Sequence, residues 1–413
     1  MPEFGPYYMP DKWCLDRYMY TEEVRSTLNL PDKFRVRDTT IREGDETPGL
    51  FMSPHDKLKI AEKLYEAGIS EADVGYLGPA QEHYEAAKLI KKEIPDMRTS
   101  GFARVWRPDW KRDVDRCVEA GVAQIDVLQH PLLIWATDEQ VAEAGCPREK
   151  LIPRTLEVIE YAKSCGVEVA YGHPDASRTP WEILEEFYSV TARAGVDLII
   201  IYEDGYGCPP GVKHLIKKIK ALVNVPLMIH CHDDVGLGTA NVLAAVGEGA
   251  ESADLVVNGL GDKGGLTKME EVVVALECHY GLSTGVQLEK LYELSKFVED
   301  ITGIKRQINK PLVGENAYIH EAEIHAYCII KGMWEAMEGV HPHVIGQERK
   351  VVFGGTTLHG EAARARLDAL GLRYNSRDVE SILNEIRKRL QTQPSVALDE
   401  FDDIAREILG EEE

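Results

Sequence analysis

The chain reads as an α/β protein, a (β/α)₈ barrel of the TIM type with an N-terminal arm before it and a mainly helical C-terminal extension after it. Three observations carry that reading. Eight short β-branched runs, starting 25 to 44 residues apart, alternate with amphipathic helical stretches, the spacing that repeated βα units need. The alternation ends near residue 283. Polar residues crowd the C-terminal ends of several runs, where barrel active sites assemble, and this argues against a doubly wound sheet.

The elements follow in order. Residues 1–33 form an arm rich in aromatics and Pro, with no basic segment leading into an apolar one, so no signal peptide is expected. The strand candidates are FRVRDTT from Phe34, EADVGYL from Glu71, RTSGFA from Arg98 and AQIDVLQ from Ala123. VEVAYGH from Val167, LIIIYED from Leu198, PLMIHCH from Pro226 and ADLVVNG from Ala253 complete the eight. Between them, HDKLKIAEKLYEAG, RDVDRCVEAG and ANVLAAVGEG have helical periodicity and close on the Gly that stops helices. The barrel is expected over residues 34–283. Residues 284–413 turn to helix without strand: LEKLYELSKFVEDITG, a linker from Lys310-Pro311, then EAARARLDALG, DVESILNEIRKRL and DEFDDIAREILGEEE.

With 47 Lys+Arg against 70 Asp+Glu, the net charge of −23 makes the chain a poor partner for nucleic acid or anionic membranes. No apolar run approaches the ~20 residues of a membrane span. Eight cysteines without a CxxC pair suit free thiols in a reducing cytoplasm. Small-molecule chemistry in the cytoplasm is the expectation.

His230-Cys231-His232 lies at the end of the seventh strand candidate. Residues i and i+2 of a strand share a face, so both imidazoles project toward the barrel mouth. Taken alone, an HxH also fits two hydrogen-bonded polar histidines. Arg42-Glu43 ends the first strand, which neighbours the eighth in a closed barrel. One carboxylate and two imidazoles make a divalent site with open positions, and an adjacent arginine can stabilise an oxyanion. The same Arg-Glu pair on a surface would do little.

RDTTIREGDETPG, HCHDDVGLGTAN, NGLGDKGG and GENAYIHEAEIHA stand in the order of the metal-dependent barrels that include homocitrate synthase, 2-isopropylmalate synthase and hydroxymethylglutaryl-CoA lyase, which the chain resembles from about residue 34 to about 371. The resemblance implies a divalent ion (Zn²⁺, Mn²⁺ or Mg²⁺) on Glu43, His230 and His232, with Asn258 near or on it. It implies an acyl-CoA, in the first instance acetyl-CoA, condensing with a 2-oxo acid. Glu43, where Asp is the alternative, resembles the homocitrate synthase branch. Arg42, Asp73 and His325 take the catalytic positions, His325 moving the thioester α-proton. The lyases carry a Cys in the glycine-rich loop after strand eight, whereas GLGDKGG has none. Condensation is therefore expected, with metal-dependent carbon–carbon cleavage, or a metal-binding regulator without turnover, as the competing functions. The condensing members also imply a homodimer that exchanges the extension. Too little chain follows DVESILNEIRKRL for a leucine-regulatory domain, so none is expected.

The departures fall on substrate-reading positions. The strand-two catalytic Glu is Asp73, and a Gln of the first motif is Glu46. The Thr after the strand-six Asp is Gly205, and strand five offers Ala170 and Pro174 where Arg and Glu would hold the acceptor's far end. The Gly before Ile324 is Glu323, and Trp334 stands near the place of a missing Tyr. Glu46, His173, Gly205 and Glu323 are the candidate pocket residues. If Glu46 and Glu323 face the pocket, 2-oxoglutarate and 2-oxoisovalerate become poor acceptors and a neutral or hydroxylated one is preferred.

Overall fold

A computed structural model describes residues 6–410 except 132, 356 and 357. The chain divides into two compact units: Thr21–Lys305, and the segment up to Tyr20 together with Arg306–Glu413. The arm is thus split, its first part grouping with the extension and its second with the barrel.

In Thr21–Lys305 all eight expected strands form. They are β1 (Arg35–Asp38), β2 (Glu71–Asp73), β3 (Arg98–Arg104), β4 (Gln124–Leu128), β5 (Glu168–His173), β6 (Leu198–Glu203), β7 (Leu227–Cys231) and β8 (Ser252–Leu255). All are parallel, and β8 closes the barrel on β1, with Asp254 level with both Arg37 and His230. Strands covered on both faces read as continuous apolar runs, as LIIIYE in β6 does with all six residues buried. The helices that follow the strands in turn are α1 (Pro54–Glu66), α2 (Gln81–Glu93), α3 (Trp110–Ala120), α4 (Leu151–Ser164), α5 (Trp181–Arg193), α6 (Pro209–Leu222), α7 (Gly238–Val246) and α8 (Met269–Ala275). Local chemistry sets their ends. Ser53 and Asp56 form a capping box before α1, and Gly121, at φ 77°, stops α3 in the left-handed region. LEKLYELSKFVEDITG supplies α9 (Leu291–Thr302), which belongs to this unit.

The barrel interior divides into an ionic part and an apolar part. Arg37 (2% exposed) donates to Asp254 at 2.6 and 2.9 Å, to Asp126 at 2.7 Å and to Ser100 at 3.0 Å, crossing the barrel from β1 to β3, β4 and β8. Phe102, Leu128, Ala170, Ile200, Tyr202 and Met228 pack as the apolar cluster.

The second unit carries α10 (Glu323–Ile330), α11 (Glu361–Ala369), α12 (Ser376–Arg389) and α13 (Leu398–Leu409). Its three-stranded sheet, β9 (Ile319–His320), β10 (Lys350–Phe353) and β11 (Val396–Ala397), corrects the expectation of helix without strand. Strands of two to four residues are too short to show an alternation.

Candidate metal centre and active site

The turn after β1 carries Arg42 and Glu43, and Lys57 of α1 holds that turn from behind. Its buried ammonium donates to Ile41 O at 2.7 Å and pairs with Asp45 at 2.7 Å. β7 carries His230, with His232 one residue past its end. The three side chains converge: one donor atom from each of Glu43, His230 and His232 lies within 4.8 Å of the others. Each imidazole Nε2 stands 3.9 Å from a Glu43 oxygen. Donors about 2.1 Å from a shared ion stand roughly 3 to 4 Å apart, so a divalent cation fits.

The surroundings agree with that fit. Glu43 Oε1 and His232 Nδ1 are buried with no hydrogen-bond partner among the described residues, a costly state that an ion and its ligands would relieve at the carboxylate. Asp254 Oδ2 stands 2.9 Å from His230 Nδ1 and fixes the tautomer that leaves Nε2 a free lone pair. Burial raises the Asp254 pKa, but Arg37 and His230 overcome it and leave the carboxylate well below the usual range. Burial alone would likewise raise the Glu43 pKa. Arg42 and the two imidazoles outweigh it and hold the group ionised. Burial first, then His230, push His232 down to about 4, which keeps the imidazole neutral as a ligand must be.

Arg42 is fixed between acids. Its Nε donates to Asp73 at 2.7 Å, its Nη1 contacts Glu43, and Glu46 stands 3.5 Å away. Asp73 is fully buried beneath it and also accepts from Thr39 Oγ1 at 3.2 Å and Gly75 N at 2.9 Å. The Arg42 guanidinium lies 5.1 Å from the Phe102 ring. Above these groups opens a cavity of about 730 Å³, lined by Arg42, Glu43, Glu46, His230 and His232 together with Tyr76, Phe102, Trp106, Leu128, Asp204, Asp262 and others. Asp204, missed as a pocket residue, is pushed up to about 6 by burial and by Asp175.

Other expected residues lie elsewhere. His173 faces the helical layer: its ring packs edge-on against Phe187 and Tyr188 of α5, and its Nδ1 stands 2.8 Å from Pro174 O. Pro174, the next residue, does line the cavity. The Asn258 amide is engaged by α9, donating to Ser295 O at 2.8 Å and accepting from Ser295 Oγ. Glu323 has its carboxylate engaged within the second unit. Its carboxylate accepts from His359 N and Ala362 N at 3.1 and 2.8 Å and anchors the start of α11. Gly205 adjoins the cavity but cannot carry a side chain, because at φ +95° a Cβ would lie 2.2 Å from Asp234 Oδ2. That loop is built around Glu203, which accepts from Gly205 N, Tyr206 N and Gly207 N at 3.2, 2.9 and 2.6 Å and was not expected to matter. In the second unit, His325 is exposed on α10, its ring 6.0 Å from that of His320. His320 in turn stands 2.9 Å from Glu338, which Arg349 grips with two nitrogens.

Comparison with known proteins agrees with this architecture. Residues 33–298 match the HMGL-like family model, and residues 312–394 match the model described as homocitrate synthase post-HMGL domain-like. A 2-isopropylmalate synthase of Methanocaldococcus jannaschii is 35% identical over 371 residues, covering 90% of this chain and 70% of its own length. A homocitrate synthase of Methanopyrus kandleri is 32% identical over 395 residues, covering 94% of this chain and 96% of its own. An (R)-citramalate synthase of M. jannaschii is 32% identical over 355 residues, covering 86% and 70%. Among solved structures, the HMG-CoA lyase of Bacillus subtilis superposes with a TM-score of 0.58 at 18% identity, over 66% of this chain and 95% of that one, a likeness of fold. The barrel, the paired histidines facing Glu43 and the matched extension converge on one assignment: the chain belongs to the HMGL-like family.

Proposed function

We propose that this protein catalyses a divalent-metal-dependent Claisen condensation, joining the acyl group of an acyl-CoA, in the first instance acetyl-CoA, to the keto carbon of a 2-oxo acid. The observation that carries the reading is the set of Glu43, His230 and His232 beside a fixed Arg42 at one barrel mouth. A divalent ion held by the three ligands would supply Lewis-acid polarisation of the acceptor carbonyl. Arg42 is held by Asp73 and Glu43 and presents its charge where the carbonyl oxygen becomes anionic, with no reorganisation needed at that moment. His325 takes the α-proton of the thioester, the new C–C bond forms between that carbon and C2 of the acceptor, and the C2=O π pair moves onto the keto oxygen, which takes up a proton from solvent to become the tertiary hydroxyl. Water then cleaves the thioester and frees the thiol. A homodimer in which the extension serves the partner's barrel is part of this proposal.

Synthase relatives and the match of residues 312–394 favour condensation over cleavage. The test is thiol release from acetyl-CoA with a panel of 2-oxo acids and added Zn²⁺, Mn²⁺ or Mg²⁺. The reading expects release that Arg42→Ala abolishes. Cleavage of 3-hydroxyacyl-CoA compounds without any condensation would replace it with the lyase reading.

A further inference from the structure

The walls of the cavity carry information about the acceptor that the metal ligands do not. Below the mouth the lining is apolar, from Phe102 and Leu128 to Tyr202, with Tyr76 and Trp106 packed on the same cluster. Phe102 stacks on Tyr76 at 4.7 Å, so that part of the wall is rigid and aromatic. β5 cannot contribute a polar head there. Ala170 is fully buried in the cluster, and a Cβ on Gly172 would come within 2.3 Å of the Tyr202 ring.

The cations of the lining are already paired. Arg104 holds both Asp113 oxygens at 2.8 Å, Arg178 holds Asp175 at 2.6 Å, and Lys263 holds Asp234 at 2.9 Å. Arg42 faces Asp73, Glu43 and Glu46 at the reacting end. Each of these cations already answers a carboxylate, so the wall offers no uncompensated positive charge to a second carboxylate on the acceptor. Glu46, Asp204 and Asp262 line the same space and would repel it.

We infer that the acceptor is a 2-oxo monocarboxylic acid with a large aromatic side chain, its ring lying against the half-buried Tyr76 and Trp106. A small tail would leave the exposed parts of those two rings wet, whereas an aromatic side chain buries them. This rests on the condensing reading above, and the experiment separates the two. Metal-loaded, full-length protein is assayed for thiol release from acetyl-CoA with phenylpyruvate, 2-oxoisovalerate, pyruvate and 2-oxoglutarate. The expected kcat/KM for phenylpyruvate exceeds each of the others by about tenfold or more, the scale on which apolar pockets discriminate. Pyruvate, 2-oxoisovalerate or 2-oxoglutarate equalling it overturns the inference. Trp106→Arg, at a half-buried position, adds an unpaired cation to the wall. It is expected to shift the 2-oxoglutarate-to-phenylpyruvate ratio upward by about tenfold, and an unchanged ratio overturns the assignment of the wall. If no acceptor releases thiol, the condensing reading fails. Calorimetric titration of phenylpyruvate and 2-oxoglutarate then judges the class alone: tighter phenylpyruvate binding upholds it, and equal or weaker binding overturns it.

Discussion

Asp254, itself gripped by Arg37, orients His230. A buried imidazole can rotate or take the wrong tautomer, and the 2.9 Å contact to Asp254 prevents both. Asp254→Ala is expected to weaken metal binding by about 10- to 100-fold, read by competition with a chromogenic chelator. Asp254→Asn keeps an acceptor and should recover part of that loss, while Glu43→Ala and His232→Ala should abolish stoichiometric binding. Equal affinity in Asp254→Ala and the parent would show that packing alone orients His230. Asp38 supplies a pH-dependent contribution of a different kind. Burial pushes its pKa up to about 7, against the hydrogen bonds from Thr40. A group raised in the folded state stabilises below its unfolded pKa, near 4, and the advantage is lost as pH rises through 7. Each pKa unit is worth about 1.4 kcal/mol. Thr40 Oγ1 links Asp38 to Val257 N at 2.9 Å, so the β1–β8 seam bears this effect. Melting temperatures of Asp38→Asn and the parent should diverge in the variant's favour from pH 4 to pH 7. Parallel curves would place the titration elsewhere.

Strand positions were legible from sequence because runs such as LIIIYED and PLMIHCH are apolar and bounded by turn residues, and the functional residues follow in the turn after β1 and at the end of β7. The direction of each side chain was less so. His173 and Ala170 lie three residues apart on β5 and cannot both face inward; with Ala170 inside, His173 turns to α5. Counting in twos would have separated them. Asp254 also had a signal, as the one charge in β8, whereas Arg37 stands among other charges in β1 and had none. Asn258, at φ 65°, lies in a turn whose shape no periodicity encodes. The loop after β6 shows what a missing residue can mean. Gly205 looks like a lost hydroxyl, yet Asp234 fills the space where a Thr side chain would start. Gly205→Thr is expected to lower the melting temperature, through both the left-handed φ of +95° and the clash, without raising 2-oxoglutarate turnover. Improved 2-oxoglutarate activity at undiminished stability would mean that the loop retains its former role.

At the scale of the whole molecule, the net charge of −23 disfavours polyanionic partners but says nothing about a site whose acids and bases pair internally. Chain order is also a poor guide to which parts belong together. Although it begins the sequence, the first part of the arm, up to Tyr20, packs with the extension: Cys14 N donates to Gly339 O at 2.8 Å and His341 N to Lys12 O at 2.7 Å, while the Tyr8 hydroxyl donates to Glu335 at 3.2 Å. Deleting residues 1–20 leaves those backbone groups to water or unpaired, at about 1 kcal/mol net for each bond. The expected result is earlier unfolding of the extension and new protease cleavage near residues 333–347. Metal stoichiometry should stay unchanged, because Glu43, His230, His232 and Asp254 all lie within Thr21–Lys305. Differential scanning calorimetry, limited proteolysis and metal analysis on one preparation read all three. An extension as stable as in the full chain would show that the arm rests on it without bracing it, and a loss of metal would show that the barrel site depends on the arm.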